Sequence, residues 1–276
     1  MPEVENIVVG IKDFIENKKI VDVEIIKGDV IKSPSSDEYK KLLQDKIIKS
    51  LKRRGKYIIM SLDDGRLNII HLRMTGKLLY KRENEDIDKY SCVIYHLEDK
   101  TKLIYADIRR LGTLDLITTD EISRLKGLYT LGAEPLSSEF TIGYLKDCLN
   151  KSKTKIKPFL LNQKNVAGLG NIYVDEALAI SKIHPECKAN SLSDEEIERL
   201  HQAINLVINE GIRDGGTSFR DYRNGLGEKG SHQDNLYVYN RKGKECRFCD
   251  TLITKIVLNG RGTYFCPNCQ KLNDDK

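Results

Sequence analysis

The 276-residue sequence lacks the features that would place it in several special classes. It has no run near the ~18 consecutive apolar residues that a membrane-spanning helix needs, and its acidic start, Met-Pro-Glu-Val-Glu-Asn, argues against a secretory signal peptide. No internal repeat or low-complexity tract is present. Hydrophobic residues at 39% and charged residues at 32% are typical of a polar protein that folds, which excludes a disordered chain.

The sequence also lacks a strong charge of one sign. Its net charge is +5, from 46 basic and 41 acidic residues, which by itself is weak evidence for nucleic-acid binding. The distribution is more informative, because residues 241–276 contain eight basic and four acidic residues and thus nearly the whole surplus. The same tail contains four of the seven cysteines.

Apolar spacing predicts one helix and then antiparallel strands in the first 130 residues. Between Glu5 and Asn17 the apolar residues recur at helical spacing. Alternation and turn residues then predict a strand and two hairpins, over residues 21–25, 57–62 with 67–72, and 90–97 with 102–107. We therefore expect an α+β protein that begins with an N-terminal helix and an antiparallel β-sandwich.

Helical patterns dominate after residues 131–136, which are a plausible linker. A capping box at Ser193–Glu196 predicts the start of a helix, with an apolar stripe that continues to Ile208. This helix should end near Gly211, and a glycine-rich loop over residues 215–230 and short strands should follow.

Two CxxC pairs form the strongest local signal. Cys246 and Cys249 are separated by sixteen residues from Cys266 and Cys269, a spacing that suits tetrahedral Zn²⁺. Four thiolates leave no open coordination position, so the metal should be structural. Two disulfides are the alternative, and the absence of a secretion signal argues against them.

Two glycine-flanked segments are weaker candidates for phosphate binding. Arg261 stands between two glycines, which suits either close approach to a phosphate or a solvated surface turn. Gly168 and Gly170 should end a helix over residues 155–163, which Pro158 could start. Asn171 would then cap the next helix, whose N-terminal amides could face a phosphate.

Together these segments make the chain resemble the formamidopyrimidine-DNA glycosylase family of bacterial DNA-repair enzymes. The resemblance covers nearly the whole length. It rests on several independent motifs: Pro2-Glu3, Gly55-Lys56-Tyr57, His71–Gly76, Asp107–Gly112, Leu131–Leu136, Gly168–Tyr173, Gly215–Tyr222 and Gly260–Gln270.

The resemblance implies three domains and two kinds of partner. Residues 1–130 would form the β-sandwich catalytic domain, residues 131–235 a helix-two-turn-helix domain with a lesion-binding loop, and residues 236–276 a zinc finger. The partners would be one structural zinc ion and damaged double-stranded DNA. The protein would be a cytoplasmic, nucleoid-associated monomer that does not contact a membrane.

The resemblance further implies a bifunctional DNA glycosylase and AP lyase that removes oxidised purines such as 8-oxoguanine and formamidopyrimidines. After removal of the initiator Met, Pro2 would be an N-terminal amine that forms a Schiff base with the sugar, and Glu3 would be the acid-base group beside it. Lys56 would assist β-elimination. Arg261 would assist δ-elimination and hold phosphate.

The same resemblance implies the DNA contacts. Met74, Arg109 and Leu111 would fill the space left by the flipped nucleotide, although the family usually has Phe in place of Leu111. Lys153 and Asn171 would hold phosphates. The remaining expected contact is Tyr90, where relatives often have His.

The N-terminus departs from the family pattern, which typically reads Met-Pro-Glu-Leu-Pro-Glu-Val-Glu, because three residues are missing here. If Pro2-Glu3 match the first Pro-Glu, the catalytic pair is present, and the first helical turn should unwind so that Pro2 reaches C1′. If they match the second, Pro2 only starts the helix. A lesion-binding protein with impaired catalysis is therefore one alternative, and a generic zinc-ribbon nucleic-acid-binding module is another.

Overall fold

The computed structural model describes residues 1–219 and 222–272, so Arg220 and Asp221 of the glycine-rich loop lie outside the described residues. The chain folds into two compact units. We call Pro2–Tyr129 with Asp214–Gln233 the β unit. Met1, Thr130–Arg213 and Asp234–Lys276 form the helical unit, which is described to residue 272.

The β unit contains two sheets. Their strands are β1 (Ile20–Ile25), β2 (Ile31–Ser33), β3 (Ile48–Arg54), β4 (Tyr57–Leu62), β5 (Leu67–His71), β6 (Gly76–Lys81), β7 (Ser91–Leu97), β8 (Lys102–Asp107) and β9 (Thr113–Ile117). One sheet has the order β2-β9-β5-β4-β3 and the other the order β1-β7-β8-β6. All pairs are antiparallel except β2 with β9. Inward-facing residues of both sheets share one hydrophobic core, so the expected β-sandwich is confirmed.

Among its described residues the β unit also has three α-helices: α1 (Pro2–Ile15), α2 (Ser36–Leu43) and the short α3 (Lys126–Tyr129). Helix α1 buries Val4, Ile7, Val8 and Ile11 in the core between the sheets because these residues share one face. It starts three residues before the predicted Glu5. Pro2 is its first residue, so the expectation that the first turn unwinds is wrong for this structure.

The described part of the helical unit has four α-helices and a hairpin: α4 (Ile142–Asn150), α5 (Ile156–Leu161), α6 (Asn171–Ile180), α7 (Asp194–Arg213), β10 (Thr254–Leu258) and β11 (Arg261–Phe265). Helix α7 begins directly after Ser193 of the predicted capping box, in which the Glu196 amide donates to Ser193 Oγ and the Ser193 amide donates to the Glu196 carboxylate. Its predicted apolar stripe is buried. The helix ends at Arg213, two residues beyond the predicted Gly211.

Three local predictions for the second half are wrong. Helix α5 begins at Ile156, so Pro158 is its third residue rather than its first. The N-cap of α6 is Gly170, while Asn171 is already helical and its side chain turns to the β10–β11 hairpin. Among the described residues between α7 and β10 there is a 3₁₀ turn at His232–Asp234 and no strand.

The segment Asp214–Gln233 packs with the β unit. The amide of Tyr80 in β6 donates to the carbonyl of Gly225 at 2.8 Å. Gly225 lies so close to Ile11 of α1 that a Cβ would approach the Ile11 side chain to 2.1 Å. A larger residue than glycine is therefore excluded at this point of the loop. No helix among the described residues has the length and hydropathy to cross a membrane.

Candidate functional site

The N-terminal turn of α1 is joined to the base of the glycine-rich loop. The amide of Thr217 donates to Glu3 Oε1 at 3.3 Å, and the Tyr222 hydroxyl lies 3.1 Å from both the Glu3 carbonyl and the Gly215 carbonyl. Burial raises the pKa of Tyr222 well above its usual value, and the nearby Glu3 carboxylate raises it further. Tyr222 is therefore a neutral donor that can bridge both carbonyls. Pro2 is buried at the same helix end.

Lys56 lies in the tight turn between β3 and β4. Gly55 precedes it with φ 59°, a left-handed conformation that glycine adopts without strain. Arg53, two residues earlier, donates to the Gly55 carbonyl at 3.1 Å and pairs with Glu5 of α1. The helix that carries Pro2 and Glu3 is thus fixed to the strand end that carries Lys56.

The Lys56 charge acts on its neighbour His71, at the end of β5. Burial lowers the pKa of His71 to about 4, and the positive charges of Arg73 and Lys56 add to this effect. His71 is therefore neutral at pH 7. Its Nδ1 accepts the Arg73 amide at 3.1 Å, and its ring meets Tyr57 edge to face.

Two loops of the β unit carry Met74, Arg109 and Leu111, the residues predicted to fill the space left by the flipped nucleotide, which we call the wedge residues. Met74 is 75% exposed and Leu111 is 48% exposed, and Arg109, which lies between them in the sequence, is exposed as well. Arg73 and Arg110, which adjoin these residues, both have φ 52°. Left-handed backbone at non-glycine residues is costly and is concentrated at functional loops.

One buried carboxylate joins these two loops. Asp107, at the end of β8, accepts hydrogen bonds from the Thr75 hydroxyl at 2.5 Å, the Arg109 amide at 3.1 Å and the Gly112 amide at 2.8 Å. Thr75 follows Met74 directly, so Asp107 holds the Met74 loop to the loop of Arg109. Asp107 and Thr75 belong to the motifs of the family resemblance, but the sequence does not reveal this role.

Tyr90 lies just before β7 and is 38% exposed. Its amide donates to the Asp88 carboxylate at 2.9 Å, and Lys89 lies over its ring with Nζ 5.0 Å from the centroid. The ring and the lysine form a small cationic and aromatic surface, which suits contact with a nucleic acid.

In the helical unit, Arg261 is the exposed first residue of β11. It follows a two-residue turn in which Asn259 has φ 48° and Gly260 has φ 71°, the conformation that Asn-Gly favours in hairpins. The Asn171 side-chain amide donates to the carbonyl of Gly262 at 2.9 Å. Lys153 is exposed in the segment between α4 and α5.

Three buried charged residues of the helical unit were missed by sequence reasoning. Lys157 and Asp175 form an ion pair beneath the hairpin. Glu176 accepts the backbone amides of Tyr237, Val238 and Tyr239 at 2.6, 3.0 and 2.8 Å. Helix α6 is buried on nearly all sides, so its acidic residues need internal partners, but no sequence pattern identifies them.

The four predicted cysteines come together. The Sγ atoms of Cys246, Cys249, Cys266 and Cys269 all lie within 4.8 Å of one another. Four thiolates about 2.3 Å from a tetrahedral zinc ion would be about 3.8 Å apart, so the cluster fits this ion. The amide of Cys269 points at Cys266 Sγ at 3.4 Å, which favours the thiolate. The residues therefore form a closed site for one structural zinc ion.

The predicted residues divide between the two units. Pro2, Glu3 and Lys56 belong to the β unit together with the wedge residues and Tyr90. Arg261, Asn171, Lys153 and the zinc site belong to the helical unit. The β-sandwich, the helices and the four-cysteine hairpin together define an α+β protein with a zinc finger.

The chain belongs to the formamidopyrimidine-DNA glycosylase family. Residues 1–114 match the model of the formamidopyrimidine-DNA glycosylase N-terminal domain, and residues 131–223 match the H2TH domain of the same family. Residues 243–272 match the zinc finger found in FPG and IleRS. A generic zinc-ribbon module would not account for the match over residues 1–114.

Full-length relatives agree with this assignment. The chain is 44% identical to the formamidopyrimidine-DNA glycosylase of Desulforamulus reducens, with 98% of each chain covered. It is 41% identical to that of Listeria innocua, over 98% of this chain and 99% of the relative.

Solved structures of the family have the same fold. A Lactococcus lactis FPG mutant bound to DNA containing Fapy-dG superposes with a TM-score of 0.92 at 38% identity, with 99% of both chains covered. MutM in complex with DNA containing carbocyclic 8-oxo-G gives a TM-score of 0.91 at 39% identity, again with 99% of both chains covered.

Proposed function

We propose that this protein is a base-excision repair enzyme, a bifunctional DNA glycosylase and AP lyase that removes oxidised purines from double-stranded DNA. The proposal is carried by the full-length match to formamidopyrimidine-DNA glycosylases. Two solved structures that this chain resembles, of FPG and MutM, contain DNA with Fapy-dG and carbocyclic 8-oxo-G. We further propose that it works as a monomer at the nucleoid in the cytoplasm.

Base removal would use Pro2 as the nucleophile once Met1 has been removed. The amine nitrogen bonds to C1′ of the flipped nucleotide while the bond from C1′ to the base breaks, and the base leaves with the electron pair and gains a proton. Opening of the sugar ring then gives an iminium. Glu3, which is next in the chain and accepts a hydrogen bond from the Thr217 amide, would move the protons.

Strand cleavage would follow from the iminium. Loss of a proton from C2′ sends electrons toward the iminium nitrogen, and the 3′-phosphate leaves in β-elimination. Lys56, in the turn beside α1, would supply positive charge or a proton for this step. Arg261 would bind phosphate and assist the second, δ-elimination, in which the 5′-phosphate leaves.

The remaining predicted residues would hold the DNA. Met74, Arg109 and Leu111 would enter the stack where the nucleotide has flipped out, because their loops are exposed and tied together by Asp107. Lys153 and Asn171 would contact phosphates. The last of these contacts would come from Tyr90.

The preference for a purine lesion would come from the loop Gly215–His232. Thr217 and Tyr222 of this loop form hydrogen bonds with Glu3. Closure of the loop over a flipped nucleobase would therefore act directly on the end of α1 that carries Pro2 and Glu3. We expect oxidised purines to be removed in preference to oxidised pyrimidines.

Borohydride trapping tests the proposal. The reagent reduces an iminium to a stable amine, so the processed protein should become covalently attached to a duplex containing 8-oxoguanine. Acetylation of the N-terminus removes the free amine and should therefore abolish attachment. Pro2→Gly leaves a primary amine, so attachment should be lost in this variant only if the reaction requires the secondary amine of proline. Absence of an adduct with protein that lacks Met1 contradicts the proposed chemistry.

A lesion-binding protein without catalysis is the second candidate. Helix α1 begins at Pro2 itself and Pro2 is buried, which favours a helix-starting role for this residue. Tight binding to an 8-oxoguanine duplex with no strand nicking would support this candidate over the enzyme.

A further inference from the structure

A buried ion pair lies at the base of the zinc-finger hairpin, apart from the residues that the mechanism uses. Lys157 Nζ is 2.6 Å from Asp175 Oδ1, and the two side chains are 1% and 0% exposed. Lys157 comes from α5 and Asp175 from α6. Both helices belong to the helical unit, as does the hairpin.

The pair forms hydrogen bonds with the hairpin backbone on both sides of Thr263. Lys157 Nζ also donates to the carbonyl of Gly262 at 3.0 Å, and Asp175 Oδ2 accepts the amide of Tyr264 at 3.0 Å. The Asn171 amide donates to the same Gly262 carbonyl. Gly262 directly follows Arg261, so these bonds fix the Gly262–Thr263 peptide, one peptide bond beyond the arginine.

Packing alone does not account for two charges at this place. Burial lowers the pKa of Lys157 and raises the pKa of Asp175, which shows that each charge loses hydration, and their mutual attraction opposes both shifts. Two apolar side chains of similar size would fill the space without this cost. A lysine, by contrast, can donate to the aspartate and to the hairpin carbonyl at once.

We propose that Lys157 and Asp175 are positioning residues for Arg261. They hold the start of β11 so that the exposed guanidinium meets the phosphate next to the lesion. The Lys157 charge also repels the Arg261 charge, which favours an arginine that points away from the helices. The inference rests on the proposed role of Arg261 in phosphate binding and δ-elimination.

Neutral replacements separate positioning from folding. Lys157→Met removes the donor to Gly262 but leaves Asp175 buried without its partner, which can destabilise the protein. The double variant Lys157→Met with Asp175→Asn removes both charges, and the asparagine oxygen can still accept the Tyr264 amide. Zinc content and the thermal midpoint show that each variant is folded. Lys155→Gln is the matched control, because Lys155 lies two residues before Lys157 in the chain and forms an exposed ion pair with Glu186.

The decisive measurement combines two readouts on the full-length holoprotein. On abasic-site DNA, the double variant should shift products from δ- toward β-elimination by about tenfold, as should Arg261→Ala, while the Lys155→Gln control keeps the wild-type ratio. Affinity for a duplex with a tetrahydrofuran abasic analogue should fall by a similar factor, about tenfold. The effects should not add when Arg261→Ala is combined with the double variant.

Additive effects, or wild-type ratios and affinity in the folded double variant, overturn the inference. Failure of the proposed function looks different, because wild-type protein then cuts no abasic DNA. In that case the positioning role is still tested by the binding affinities of the double variant, of Arg261→Ala and of their combination for the tetrahydrofuran duplex. Coupling in binding supports it, and additivity contradicts it.

Discussion

Buried carboxylates shape the site at the level of single residues. Asp107, Asp175 and Glu176 are each 2% exposed or less, and each accepts several hydrogen bonds from backbone or side-chain donors. A buried carboxylate is tolerated only with such partners. In the sequence these residues resemble ordinary surface acids, since each meets at least one donor that is distant in the chain.

His71 should make stability depend on pH. Its pKa in the folded protein, about 4, is below the ordinary histidine value of 6.5. Between pH 6.5 and 4, His71 is protonated in the unfolded chain but neutral in the folded protein. The stability that it contributes above pH 6.5 is therefore lost as the pH falls toward 4. We expect this residue to contribute a loss of about 3 kcal/mol, an upper value for such a shift. Urea unfolding at several pH values should show it, and His71→Asn, which can still accept the Arg73 amide, should lack it.

Shortening of the Leu111 side chain should slow excision of the damaged base. Leu111→Ala should lower kcat/KM for an 8-oxoguanine duplex by about tenfold, because less apolar surface enters the base stack. Leu111→Phe should retain or raise it, since an aromatic ring also stacks. Single-turnover excision measures both. Val9→Ala, which shortens another exposed apolar residue of the β unit, should have no effect, and an equal loss there would contradict the wedge role.

At the level of elements, Asp107 couples two loops. Asp107→Asn turns one acceptor into a donor that faces the Gly112 amide or the Thr75 hydroxyl, and an unsatisfied buried group costs about 1–3 kcal/mol. We expect weaker binding of lesion DNA, by about tenfold, in gel-shift titrations. Asp115→Asn is the control, because Asp115 is also a buried carboxylate but lies within β9, three residues beyond Gly112. Equal losses in both variants would mean a general effect on stability.

Sequence patterns predicted the elements whose signals are local. The capping box of α7, the β4–β5 hairpin and the cysteine pairs all appear where the residues indicate, because turn chemistry and spacing decide them. The N-terminal ends of α1, α5 and α6 were placed wrongly. At α6 the Asn171 side-chain amide donates to the Gly262 carbonyl of the hairpin, a contact between residues far apart in the chain.

At the level of the whole molecule, the chain is not divided into consecutive pieces. Residues Asp214–Gln233, which the sequence-based division places with the helical domain, belong to the β unit. The boundaries at residues 130 and 235 stay predictions. The roles assigned to Pro2, Glu3, Lys56 and Arg261 stay predictions as well, because they concern chemistry on DNA.

Zinc removal should disable the hairpin that carries Arg261. The cysteine cluster and a few apolar neighbours are the local core of this segment, so the metal supplies much of its folding free energy. Treatment with a strong chelator should release one zinc ion per chain and abolish nicking of abasic DNA. Readdition of Zn²⁺ under reducing conditions should restore activity. Full activity in metal-free protein would contradict the structural role of the ion.

Removal of oxidised purines from DNA is the central activity proposed for this protein. Its most direct test is excision from one labelled duplex that contains either 8-oxoguanine, an oxidised pyrimidine or an undamaged guanine at the same position. We predict base release and a strand break at 8-oxoguanine, slower reaction at the pyrimidine and none at guanine. Release from all three at the same rate, or from none by protein whose N-terminal amine is free, would contradict this activity.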